Sequence, residues 1–231
     1  MCFKLEKTLI LSNPIIITID GFASTGKSTI AKKISSHLKY NYVDTGSIYR
    51  AITLLSIKNG FLESGSINLD LLKNSLDESS FFLNSETNKL YFNQSQLDDE
   101  IRSYEVSESV SLIAKISFVR SFVLEQLRSL KISKGLVIEG RDIGSVVFPN
   151  ANFKFFFNAS IETRVDRRWN EMIKKGIKIS KNKIKENIIT RDRTDEKRKL
   201  SPLIIPKDSI QIDTSNLTIE KVFDKIIELL N

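Results

Sequence analysis

A chain of 231 residues, 41% of them hydrophobic, is long enough for one α/β core carrying an insertion. Its single cysteine, Cys2, excludes an internal disulfide and points to a reducing compartment, and no run of about 18 apolar residues offers a membrane-spanning helix. The formal net charge of +7 invites a nucleic-acid reading, yet residues 174–199 alone hold eleven basic and four acidic side chains, which is the whole excess. So local a concentration suits small anionic substrates better than a duplex.

The first 12 residues mix acid and base, with no long apolar stretch and no small-residue cleavage site. They do not read as a secretory leader, so a cytoplasmic location is expected. Residues 1–13 read as a loosely attached extension, because Pro14 opens the first strand. Residues 15–19 are apolar and β-branched, the pattern of a strand buried on both faces. There follow Gly21, Phe22, Ala23, Ser24, Thr25, Gly26, Lys27, Ser28 and Thr29, which fit G-x-x-x-x-G-K-[ST]. Behind them Ile30, Ala31, Ile34 and Leu38 recur at helical spacing, with Lys32, Lys33 and Lys39 outside. A strand, a glycine loop and a helix in that order turn successive N–H groups and a helix dipole toward a polyphosphate. Lys27 is placed to bridge the outer phosphates of a nucleoside triphosphate, and the Ser28 hydroxyl to ligate Mg²⁺.

Residues 40–44 read as a short strand ending in an Asp-Thr-Gly turn, after which a helix is expected with Ser47 as its N-cap. Arg50 then lies in the first turn, near the strand ends where α/β sheets bind ligands. Leu69, Leu71, Leu72 and Leu76 have helical spacing, whereas residues 81–83 and 90–92 read as two strands about a polar turn, a small antiparallel unit inserted in the α/β body. Residues 101–130 read as mainly helical, with Val106, Val110, Ile113, Ile116 and Val119 on one stripe and Ser111 and Arg120 among them. Residues 135–144 form a second buried strand running into a glycine-flanked Arg141-Asp142, expected to be an ion pair that a ligand or metal uses. The Phe-rich strand at 153–157 is expected to be core, and residues 210–213 the last strand. Arg164 and Arg168, and Arg191 and Asp195, are each four apart and so share a helix face. His37, the only histidine, is expected to be exposed. Neither a zinc ligand set nor a G-x-S-x-G nucleophile turn is present.

The segments ITIDG with its loop, DTGSIYR (44–50), EIRSYEV (100–106), EGRDIGSVVFP (139–149), RDRTDEKR (191–198) with SPL after it, and IDTSNLTIEKV (212–222) resemble the bacterial cytidylate kinases, within the nucleoside monophosphate kinases. The resemblance implies a three-layer α/β P-loop NTPase fold with a five-stranded parallel sheet, an inserted monophosphate-binding domain with a small antiparallel sheet, and a short helical lid. It implies core segments at 14–46, 112–165 and 200–231, the monophosphate-binding domain at 47–111 and the lid at 166–199. The implied reaction moves the ATP γ-phosphate to CMP or dCMP with Mg²⁺. By position, Arg50, Arg141 and Arg191 would clamp the acceptor phosphate, and Arg198 would join them on lid closure. Asp195 with Arg191 would hold the sugar hydroxyls, while Thr45, Ser111, Arg120 and Asp142 would line the base pocket. Arg164 and Arg168 would meet the donor phosphates. A monomer acting on small molecules, with no nucleic-acid or membrane partner, is the expectation.

This chain departs from the family pattern in places. Phe22 and Ser24 stand where Pro and Gly are usual, Ser28-Thr29 where Gly-Thr is common, and Thr194 where arginine is frequent. Ser24 carries a Cβ and disfavours positive φ. Cytosine offers an amine donor beside N3 and O2 acceptors, which a carboxylate, a hydroxyl and a guanidinium match, whereas uracil sets a carbonyl against Asp142. Rival readings are a P-loop kinase for UMP, AMP or a hydroxy acid, and a nucleotide-dependent switch or RNA-binding factor, for which no switch-loop signature is seen.

Overall fold

The computed structural model describes residues 14–84 and 86–230; the expectations for residues 1–13 lie outside them, as does Cys2. In chain order, β1 (Ile16–Gly21) leads through the glycine loop into α1 (Lys27–Leu38), β2 (Asn41–Asp44) and α2 (Thr45–Lys58). A two-stranded ladder, β3 (Leu62–Glu63) and β4 (Ser66–Ile67), precedes α3 (Leu69–Asp77) and the antiparallel β5 (Phe81–Asn84), β6 (Lys89–Phe92) and β7 (Ser95–Gln96). After a 3₁₀ turn at Asp99–Arg102 come α4 (Tyr104–Ile113), α5 (Ser117–Arg128) and β8 (Leu136–Glu139). A single π turn at Ile143–Val147 leads to β9 (Phe153–Asn158), α6 (Ile161–Lys174), α7 (Lys181–Lys197), β10 (Ile210–Asp213) and α8 (Ile219–Leu230).

The main sheet has the order β10-β9-β1-β8-β2, and every pairing is parallel. Parallel strands of this kind are covered on both faces, and that is why they read as unbroken apolar runs. On one face α1 and α8 press Ile30, Ala31, Ile34, Val222 and Ile226 against Ile17, Ile19, Phe155, Phe157 and Ile212. Phe155, Phe156 and Phe157 are all buried, so the Phe run is core as expected. On the other face Val43, Leu136 and Ile138 meet Ile48 and Ile52 of α2 and Val119, Val123 and Leu127 of α5. The same cluster takes in Leu72, Leu76, Phe81 and Phe92, so the inserted segment shares its core with the sheet. Phe81 and Phe92 stack with ring centroids 4.4 Å apart. Between α6 and α7 lies a separate small core of Val165, Ile184 and Ile188.

One local expectation is corrected. Helix α2 begins at Thr45, and its cap is Asp44, whose side chain accepts from the Ser47 N–H; Ser47 sits inside the first turn and donates its hydroxyl to the Asp44 carbonyl. Residues 101–130 are mainly helical as expected, in the form of a 3₁₀ turn and two helices. At the joint, N–H groups of Lys115 and Ile116 reach back only three residues, to Leu112 and Ile113, and Ile116 is extended. Val106, Val110, Ile113 and Val119 are buried as the stripe requires, while Ile116 marks the bend.

Because Leu127 belongs to the cluster that joins sheet, α5 and insertion, Leu127→Ala is expected to lower unfolding free energy by about 2–5 kcal/mol. In urea, far- and near-UV circular dichroism should then shift together. Two resolved transitions would show that the insertion unfolds by itself.

Candidate active site

The loop after β1 wraps against the end of β9. A Cβ at Gly21, whose φ is 142°, would stand 2.1 Å from the Phe157 carbonyl oxygen, so only glycine fits. Gly26 and Ser24 are both left-handed, at φ 93° and 59°. The misgiving about Ser24 is therefore realised: this side chain is held where its Cβ is unfavourable. Lys27 is buried and donates from Nζ to the Phe22 carbonyl at 2.7 Å, which the Thr25 hydroxyl also reaches at 3.0 Å. Burial and then the Arg141 guanidinium push the Lys27 ammonium down to about 7. The Phe22 ring lies edge-on to Phe156 and carries the Arg164 guanidinium 5.3 Å from its centroid. Ala23 is buried, whereas Ser28 and Thr29 open to solvent at the first turn of α1.

Three groups that sequence reasoning missed complete this end of the site. Asp20, at the end of β1, is buried and accepts the N–H groups of Ile143 at 2.9 Å and Gly144 at 2.7 Å; burial pushes its carboxyl up to about 6. Glu139, at the end of β8, is buried beside the Ser28 hydroxyl, and burial with the neighbouring Asp44 raises its carboxyl as well. The Tyr42 hydroxyl donates to Glu139 Oε1 at 2.7 Å. An acid closing an otherwise apolar strand was the available signal for Asp20 and Glu139.

The guanidinium groups come from segments well separated in the chain. Arg141 donates from Nη1 to the Gly21 carbonyl at 2.9 Å and from Nε to Asp195 Oδ2 at 2.8 Å, tying the loop to α7. Arg50, at the end of the first turns of α2, is half-buried, and its Nε has no hydrogen-bond partner among the described residues. Burial lowers its pKa, and its charge is felt together with those of Arg141, Arg102 and Arg168. Arg191 is pushed down to about 10 by burial, then by Arg141, with Arg50 and Arg168 adding to it. Arg50, Arg141 and Arg191 are thus brought within electrostatic reach of one another. Burial works against ionised Asp195, but Arg141, Arg191 and Arg198 outweigh it and hold its carboxyl below the usual range.

Arg141 and Asp142 do not pair with each other, contrary to expectation. Asp142 takes a 2.5 Å bond from Arg120 Nη2, and Arg120 also donates to the Ala114 carbonyl and lies over the Tyr49 ring. Neighbouring residues in non-helical backbone point apart, so each finds a partner elsewhere. Arg198 bonds Asp195 Oδ1 at 3.2 Å and the Ser201 carbonyl at 2.6 Å, with Nη2 3.9 Å from Asp142. An alternating chain of charge results: Arg141, Asp195, Arg198, Asp142, Arg120. It borders a cavity of about 130 Å³ lined by Thr45, Tyr49, Arg120, Asp142 and Ile143 among others.

Three further expected site residues lie outside the lining of that cavity. Ser111 is half-buried on α4 and does not line that cavity. Arg164 is buried against Asp192 at 2.5 Å and the Phe22 ring, and Arg168 is engaged by Glu171 at 2.8 Å. His37 is exposed as expected, edge-on to Phe223.

Ser24→Gly is expected to stabilise the protein by about 1 kcal/mol, since glycine carries no penalty at φ 59°. Thermal unfolding of the two proteins without ligand checks this, and an unchanged or lower midpoint would show that the Ser24 side chain compensates its strain.

The family described as cytidylate kinase matches residues 17–231 of this chain. The cytidylate kinase of Flavobacterium johnsoniae is 42% identical over 94% of this chain and 96% of its own length. That of Phocaeicola vulgatus is 43% identical over 89% of this chain and 91% of its own, and that of Clostridioides difficile 38% identical over 94% and 98%. With the glycine loop, the parallel sheet and the arginine-lined cleft described above, these matches over nearly the whole length establish that the chain belongs to the cytidylate kinase family.

Proposed function

We propose that the chain transfers the γ-phosphoryl group of ATP to CMP or dCMP, yielding ADP and the pyrimidine nucleoside diphosphate. One observation carries the reading: Arg50, Arg141 and Arg191, from three separated segments, share one field beside the lysine of the phosphate loop. Phosphoryl transfer needs alignment and positive charge around the moving group, and little else from the protein. The acceptor phosphate oxygen is already anionic near neutral pH, so no general base is required. Lys27 leaves the Phe22 carbonyl for the donor phosphates, and Arg50, Arg141 and Arg191 hold the acceptor phosphate. Asp195 takes the sugar hydroxyls, with Arg198 alongside. Thr45, Arg120 and Asp142 meet the base. Arg164 and Arg168 reach the donor phosphates only by leaving Asp192 and Glu171.

The Ser28 hydroxyl and the Glu139 carboxylate are hard oxygen donors side by side, a set that fits Mg²⁺. The ion, when bound, offsets charge on the outer phosphate oxygens; Ser28 would hold it directly and Glu139 through water. Residues 47–111 serve as the acceptor-binding domain and 166–199 as the lid, about a core of 14–46, 112–165 and 200–231. The reading carries with it a monomeric, cytoplasmic enzyme of small molecules; no helix among the described residues is long and apolar enough to cross a membrane.

The test is a panel of CMP, dCMP, UMP and AMP with MgATP in a coupled assay of ADP release. UMP sets a carbonyl against Asp142, so its kcat/KM should fall about ten- to a hundredfold below that of CMP. Equal turnover of CMP and UMP would overturn the base assignment.

A second outcome follows from Lys27. With a pKa of about 7 in the free protein it is mostly neutral at pH 8, and adjacent phosphates restore its charge. ATP binding at pH 8 should therefore take up about one proton. Calorimetry in buffers of different ionisation enthalpy measures this, and no uptake would mean that Lys27 is already charged.

A further inference from the structure

Strand β2 is an edge of the main sheet, and its register places Asp44 beside Glu139 and Tyr42 beside Val137. Side chains two apart on a strand, and those paired across parallel strands, share a face. Tyr42, Asp44 and Glu139 thus lie on the face that α1 covers, and the Tyr42 ring runs toward the first turn of that helix. Its hydroxyl donates to Glu139 Oε1 at 2.7 Å, while the Ser28 hydroxyl lies beside the same carboxylate. The backbone of Tyr42 is fixed from outside the sheet: its N–H donates to Asn88 Oδ1 at 2.7 Å. Asn88 belongs to the turn between β5 and β6, where it is exposed and left-handed at φ 56°. A path of contacts therefore runs from the tip of the inserted hairpin through Asn88, Tyr42 and Glu139 to Ser28, hydrogen-bonded as far as Glu139.

We propose that Tyr42 is a positioning residue of the donor half of the site, and that Asn88 positions Tyr42. Glu139 is buried, and a carboxylate with a single hydroxyl partner would be free to turn toward Lys27. The Tyr42 hydroxyl holds it from a second side, so its oxygens face Ser28 in one arrangement. This rests on the reading of Ser28 and Glu139 as the oxygen donors for Mg²⁺. Outer groups that orient metal ligands commonly change metal affinity by about 10–100-fold when removed.

The experiment compares the full chain with Tyr42→Phe and Asn88→Gly, by calorimetric titration with ATP in the presence and the absence of Mg²⁺. Glycine tolerates the φ of Asn88 and deletes only the acceptor, so this second variant keeps the test open if Tyr42→Phe folds poorly. Tyr42→Phe should reduce the gain in ATP affinity that Mg²⁺ brings by about tenfold. Affinity for Mg²⁺-free ATP and the KM for CMP should stay within about twofold of the parent, because Tyr42 touches neither phosphate nor base. Asn88→Gly should move the same quantity in the same direction by a smaller factor. A parental Mg²⁺ gain in both variants would overturn the proposal, as would equal losses with and without Mg²⁺, which mark general loop packing. An effect of Tyr42→Phe without one of Asn88→Gly would overturn the Asn88 link. Should the parent fail to phosphorylate CMP, the functional reading falls while the Mg²⁺ gain stays measurable.

Discussion

Crowding of like charge in a half-buried cleft is the constraint on which the molecule turns. Arg141 opposes the ionisation of both Arg50 and Arg191, Arg50 opposes that of Arg191 as well, and Lys27 feels Arg141 and Arg191. Such a group is tolerable only if carboxylates are interleaved with it and an anion is due to arrive. Asp195 supplies the interleaving between Arg141 and Arg198, and Asp44 between Arg50 and Arg102. Arg141 is the joint of this arrangement, because it is bonded to the loop carbonyl of Gly21 and to α7 at once. The parallel sheet makes the arrangement possible by ending β1, β2 and β8 at one edge, from which Asp20, Asp44 and Glu139 project.

Helix α7 relates to that cleft in a different way from the insertion. The insertion is welded to the sheet through Leu72, Leu76, Phe81 and Phe92, which share one apolar cluster with β8 and α5. The apolar residues of α7, Ile184 and Ile188, pack instead with Val165 of α6. What reaches the site from α7 is charge, namely Arg191, Asp195 and, just past its end, Arg198. Charged contacts of this kind can exchange partners for phosphate oxygens at small cost, whereas a shared apolar core cannot be opened without exposing it to water.

Much of this was legible in the chain itself. The β-branched run at 15–19, the glycine loop and the Phe run announce a parallel sheet with a phosphate site, because buried parallel strands leave no polar alternation to confuse them. What escaped was set by tertiary structure. Arg141 and Asp142 are neighbours in sequence and suggest a pair, but the backbone turns them to Asp195 and Arg120. The bend after α4 has no glycine or proline to mark it; Arg120 reaches back from α5 to the Ala114 carbonyl that the bend leaves open. Asp44 takes the cap expected of Ser47 since its side chain lies three residues before the N–H it accepts, a spacing that serves aspartate as well as serine. Tyr42 gave no sign at all, because its role depends on a carboxylate 97 residues further along the chain.

The turn that holds Tyr42 also guards the sheet. An edge strand presents a row of outward N–H groups on which another chain can build, and β2 is such an edge. Asn88 occupies the Tyr42 N–H from a loop that covers it, and Lys32 lies 5.7 Å from the Tyr42 ring centre. A foreign strand seeking to extend the sheet there meets a blocked donor and a cation. The inserted hairpin thus covers one of the outward donors that a bare edge strand would offer to a neighbouring chain.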